Sequence, residues 1–154
     1  MKLPTKIKFF GWLLHHERLN TRAFLYRRNI KSREDSSCEQ CTGILETADH
    51  IFNDCPCAME VWHRIKINMR PGGFRQPWSL WAEVQLPDSV QMDVIVLVLW
   101  QIWKARNALI FDHKLPSPSE IIRKALDDLT SWKCRYKDNK EAIAIWGDYL
   151  YSCL

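Results

Sequence analysis

The chain has 154 residues, 47% hydrophobic and 26% charged, a balance that suits one folded domain, or a small metal module on a helical body, and excludes a disordered tail. Its formal net charge of +4 is uneven: residues 1–34 carry nine Lys or Arg against Glu17 and Glu34, so this stretch is +7 and the remainder −3. A basic end on a mildly acidic body suits a phosphate-rich partner, or else it is a solvated helix face.

Residues 5–19 read as a first helix, with Ile7, Phe10 and Leu14 on one face, Trp12 and Leu13 widening it, and Gly11 weakening it. Asn20-Thr21 offers an N-cap for a second, short helix through Phe24, Leu25 and Arg28. Residues 31–49 are polar. Cys55 then caps a third helix that begins at Pro56 and turns Met59, Trp62 and Ile65 or Ile67 inward.

The stretch 68–91, with Pro71, Gly72, Gly73, Pro77 and Pro87, reads as loop anchored by Trp78 and Trp81. The apolar run from Met92 to His113 is too long for a strand and reads as helix. Ser117-Pro118-Ser119-Glu120 forms a capping box ahead of a stripe of Ile121, Ile122, Ala125, Leu126, Leu129 and Trp132. A last helix covers roughly 139–152 through Ala142, Ile143, Trp146, Tyr149 and Leu150. The expected fold is mainly α, with a zinc-knuckle-like loop between helices and a Trp-rich helical C-terminal half. The expected organisation is 1–68, a loop-rich linker 69–91, and a helical region 92–154.

Lysines follow the start where a secretory signal would have an apolar run. The longest apolar stretch, Val94 to Trp103, falls short of the roughly 20 residues that span a bilayer. The expected setting is cytosol or nucleus with no membrane partner, where six cysteines serve as metal ligands or buried thiols.

Four residues form a ligand pattern, C-x2-C-x8-H-x4-C: Cys38, Cys41, His50 and Cys55. Two cysteines three apart can curl so that both sulfurs meet one ion, and zinc prefers thiolate and imidazole donors. Four such ligands close the shell, so the zinc would be structural. A sulfur at a helix N-cap also gains from the positive dipole end, which favours Cys55, with Cys57 as the alternative and His63 as a surface histidine. The competing readings are a redox CxxC, which lacks its βαβ setting here, and unrelated buried thiols; Cys134 and Cys153 have no ligand-like neighbourhood.

These residues resemble the zinc-binding domain at the C-terminal end of plant non-LTR (LINE-type) retrotransposon reverse transcriptases. The resemblance rests on Leu3-Pro4-Thr5-Lys6-Ile7-Lys8-Phe9-Phe10-Gly11-Trp12, Arg18-Leu19-Asn20-Thr21-Arg22, Cys38-x2-Cys41 and Glu46-Thr47-Ala48-Asp49-His50-Ile51-Phe52. Cys55-Pro56 and Val61-Trp62 extend it, and Trp100-x2-Trp103-Lys104-Ala105-Arg106-Asn107 through Phe111 looks like the linker that follows in such elements. It implies the same four ligands and sets Cys57 aside. In that family a polymerase lies upstream and an RNase H-like domain often follows.

No acidic-cluster motif of either enzyme is visible here, nor a Ser/His/Asp set, P-loop or dinucleotide fingerprint. Asp127-Asp128 read as the polar side of a helix. The expectation is a non-catalytic module with no small-molecule substrate. It would contact RNA or DNA through Lys6, Lys8, Arg22, Arg27, Arg28, Lys31 and Arg33, with Phe9, Phe10 and Trp12 in the core. The alternative is a protein-interaction module that docks a host protein on the Trp-rich C-terminal helices.

Overall fold

A computed structural model describes residues 1–154 as six α-helices joined by turns: α1 (Thr5–His15), α2 (Arg22–Arg27), α3 (Pro56–Arg64), α4 (Gln91–Asp112), α5 (Pro118–Ser131) and α6 (Lys140–Ser152). There are no strands, only isolated bridges between Ser37 and Leu45 and between Ile67 and Ala82.

The architecture follows from α4. Every residue from Asp93 to Leu99 is buried, so this helix is covered on all sides rather than along one stripe. Around it pack α1, α5, a π-helical turn at His50–Asp54 and the short turns at Pro77–Ser79 and Asp88–Val90; α3 and α6 flank α5. One core of 32 buried side chains draws on residues from Leu3 to Leu150. At 22 residues α4 is long and apolar enough to cross a bilayer by length and composition, which corrects the shorter estimate from its apolar run. In this fold its apolar residues from Val94 to Leu99, with Ile102, lie in the protein core.

Helix starts follow the sequence closely. Thr21 caps α2 by accepting from the Phe24 amide at 3.1 Å, and Ser117 caps α5 through the Glu120 amide at 3.4 Å. The capping box is only half made, because the Glu120 carboxylate turns to Lys114 and Lys124, each 2.9 Å away. Pro56 and Pro118 stand in the first turns of α3 and α5, where a missing N–H costs nothing.

Several burial expectations are corrected. Phe10 is in the core, but Phe9 and Trp12 face solvent, because the helix buries only the stripe of Ile7, Phe10 and Leu14. Met59 is exposed, and Ala58 and Val61 fill its expected place beside Trp62 and Ile65. Trp78 and Trp81 are also exposed; the loop is anchored instead by Phe74, Pro77 and Leu80. Gly73 fits there because a Cβ would sit 2.8 Å from Leu80 Cδ2.

Buried polar groups tie distant segments together. Asp93 accepts from the Lys2 amide at 2.8 Å and the Tyr136 hydroxyl at 2.7 Å. Burial and that carboxylate push the Tyr136 phenol well above its ordinary range. Trp62 Nε1 donates to Phe52 O, Trp146 Nε1 to Pro87 O and Tyr149 Oη to Ile65 O, at 2.7, 2.9 and 3.0 Å.

Candidate metal centre

The loop holding the first two cysteines folds without a hydrophobic interior of its own. Ser36 accepts from the Glu46 amide at 2.9 Å, the Cys38 amide donates to Ile44 O at 2.8 Å, and the Ile44 amide returns to Cys41 O at 3.0 Å. These bonds close a knuckle around Gln40-Cys41-Thr42-Gly43. Gly43 takes φ 82°, a left-handed conformation that most other residues resist.

The other two ligands come from a different device. The π-helical turn His50–Asp54 is closed by the Cys55 amide donating to His50 O at 2.7 Å. A bond reaching five residues back folds the four intervening residues into one turn, bringing His50 and Cys55 to the same place. Thr47 Oγ1 accepts from the His50 amide at 3.0 Å and fixes where that turn begins.

The result is one cluster. Ligand atoms of Cys38, Cys41, His50 and Cys55 all lie within 4.8 Å of one another, the last two on buried residues. Cys55 is the backbone N-cap of α3 but its sulfur makes no capping bond; it sits in the cluster instead. Cys57 and His63 are outside, as are the exposed Cys134 and the half-buried Cys153.

The electrostatics ask for a cation. A hydrogen bond from the Cys55 thiol, helped by the Gln40 and Cys41 amides, holds the Cys38 thiol down at about 5 against the effect of burial. Donating that proton and being buried push the Cys55 thiol far up, and burial with the negative Cys38 raises Cys41. With no ion, three sulfurs therefore share little negative charge, whereas a divalent metal would deprotonate them all. His50 Nε2 is buried with no hydrogen-bond partner, an orphan of the kind a ligand satisfies. Three thiolates and an imidazole fit zinc, and a shell they close holds structure instead of activating water.

Residues 1–62 match the family described as zinc-binding in reverse transcriptase. This segment is thus similar to the zinc-binding domains of reverse transcriptases. A protein of Arabidopsis thaliana, provisionally named as a ribonuclease H protein, is 25% identical over 118 residues, covering 72% of this chain and 19% of that relative. The chain thus spans about a fifth of the relative's length. No solved structure matches the chain.

The zinc-binding domain is wired into the rest of the chain by residues that the ligand pattern did not single out. Glu46, almost wholly buried, receives the Arg106 guanidinium of α4 through both carboxylate oxygens, Nε to Oε2 at 3.1 Å and Nη2 to Oε1. It also accepts from the Arg22 amide at 3.0 Å. Arg75 pairs with Asp49 at 3.0 Å and Glu17 at 3.2 Å, joining the π-turn to the end of α1. Glu46, Asp49 and Arg106 all stand inside the stretches that carried the family resemblance. Nothing in sequence spacing pairs residues 60 positions apart.

The expected nucleic-acid contacts divide. Lys6, Lys8, Arg27, Arg28 and Arg33 are exposed and Lys31 is half-buried. Arg22 is used internally: Nη1 donates to Ser37 O at 2.6 Å and Nη2 pairs with Glu39, so it braces the loop beside Cys38. Asp127 faces solvent, but Asp128 is half-buried, accepts from Gln101 Nε2 at 2.6 Å, and has its carboxyl raised chiefly by burial.

Proposed function

We propose that the chain is a non-catalytic, retroelement-derived zinc module that holds nucleic acid through its basic N-terminal segment. The observation that carries this reading is the free charge on and after α2. Arg27, Arg28 and Arg33 form no ion pair, while α2 itself is braced on the zinc loop through Arg22 and through the Ala23 amide donating to Glu46 O at 3.1 Å. Charges on a helix fixed to a metal-stapled loop present a constant pattern to phosphates, with Lys6, Lys8 and Lys31 adding to the field. Six free thiols suit a reducing setting, cytosol or nucleus.

The test is retention of labelled RNA and DNA across a salt series, for wild type and for Arg27→Ala/Arg28→Ala. The expected result is steep weakening with salt and a slope lowered by about 1 for each phosphate contact removed, at unchanged zinc content. Salt-independent binding, or none, would sink it.

A protein-docking reading keeps support from Phe111 and Leu115, apolar and mostly exposed at the end of α4 and beyond it. The C-terminal tryptophans support it less, since Trp146 is fully buried and Trp103 and Trp132 are partly so. Salt-insensitive binding of a protein, lost on Phe111→Ala, would favour it.

A further inference from the structure

The outward side of α1 carries rings where a solvated helix would carry simple charges. Phe9 and Trp12 are 58% and 44% exposed, on the side opposite Ile7, Phe10 and Leu14. Their rings are parallel to within 6°, with centroids 6.1 Å apart. Trp12 stacks on His16 at 4.3 Å, His16 meets His15 at 4.9 Å, and His15 meets Trp78 at 5.6 Å. Trp78, brought from the loop after α3, is itself 58% exposed. Five rings thus form one continuous line across two segments far apart in sequence.

The line is held in place. His16 Nδ1 and His15 Nδ1 each lie 2.9 Å from a backbone carbonyl, Trp12 O and Arg75 O. A carbonyl only accepts, so each Nδ1 donates and each ring orientation is fixed. Exposed rings that contribute little to the core, two of them oriented by hydrogen bonds and the others packed against these in turn, form a prepared surface.

Its charge identifies the occupant. Lys8 lies one helical turn before Trp12, and the Arg18 guanidinium sits 5.7 Å from the Trp12 ring centroid. Neither cation forms an ion pair, while the neighbouring acids Glu17 and Asp49 are both taken up by Arg75. Rings interleaved with free cations, and few aliphatic side chains among them, suit flat bases strung on phosphates. The core of a protein–protein contact is depleted of charged groups such as lysine, whereas here free cations stand among the rings.

We propose that the strip from Phe9 through Trp12 and His16 to Trp78 is a track on which the bases of a single-stranded nucleic acid stack, with Lys8 and Arg18 against its phosphates. The inference rests on the nucleic-acid reading above and adds the strand form and the path.

The experiment uses the full zinc-loaded chain and fluorescence anisotropy. The probes are oligo(dT) and oligo(U) of about 20 nucleotides and a DNA duplex of similar length. The variants are Trp12→Ala, Trp78→Ala, Trp12→Phe and Arg27→Ala/Arg28→Ala, each checked for zinc content and helicity. Each alanine replacement is expected to weaken single-strand binding by about tenfold or more, with duplex binding changed less than about twofold. Trp12→Phe should restore most of the loss, because a ring remains.

If the arginine variant loses binding while the tryptophan variants bind single strands like wild type, the track is overturned and the nucleic-acid reading stands. If the wild type binds no probe, both fall. If sedimentation shows that the tryptophan variants lose self-association and nothing else, the strip is a contact between copies of the chain and the track is overturned.

Discussion

Cys57 separates being near a metal centre from belonging to it. It lies two residues from Cys55, yet burial pushes its thiol up to about 11, so at neutral pH it keeps its proton, and it stands outside the group of ligand atoms. The π-turn decides between them, since the bond from the Cys55 amide to His50 O places residue 55 beside the histidine. Cys57→Ser should therefore keep about one zinc per chain by elemental analysis, whereas Cys55→Ser should lose it. The reverse outcome would reassign the ligand. The four ligands were legible in sequence because cysteine and histidine at these spacings serve few other purposes. What Glu46, Arg75 and Arg106 do was not legible, because an acid or arginine serves many ends and its partner is chosen by the fold.

At the scale of elements, helix beginnings were readable, as were the ends of α4 and α6 to within a residue, but the end of α1 was not. The starts of α2, α3 and α5 are marked by Thr21, Cys55-Pro56 and Ser117-Pro118, residues with a direct local reason to sit there. The ends of α1, α2 and α3 use a left-handed residue that glycine usually supplies, and here glycine is scarce. Glu17, Asn29 and Lys66 take φ of 55°, 56° and 49° just past α1, α2 and α3. Behind each, paired backbone bonds close a Schellman motif, such as Lys66 N–H to His63 O and Ile67 N–H to Trp62 O, both at 3.3 Å. This is why α1 stops at His15 and not at residue 19. Lys66 is exposed, so Lys66→Gly should raise stability by about 0.5–1 kcal/mol in urea unfolding, relief of the left-handed strain exceeding the added chain entropy. A loss of stability would mean that the lysine side chain makes a contribution its surroundings do not show.

At the scale of the molecule, the mainly helical class was legible from apolar periodicity, but how the parts join was not. The joining is done by α4, through Arg106 to Glu46 and through apolar contacts such as Phe52 against Trp103, 6.4 Å between ring centroids. Removing one partner of a buried ion pair leaves the other uncompensated. Arg106→Met should thus cost about 3 kcal/mol in the zinc-loaded protein, and adding Glu46→Gln should recover part of it. Equal losses in the single and double variants would show that the pair acts only through packing.

The depth of α4 gives the metal a role beyond its own loop. Ile51 and Phe52, on the turn that zinc fixes at both ends, are part of the lid over a helix of membrane-spanning length. Loss of the ion would loosen that lid and bare a long oily segment, the kind of surface that chaperones bind and that clumps when they do not. Zinc supply would then set what fraction of the chain stays folded, through the coupling of metal binding to folding.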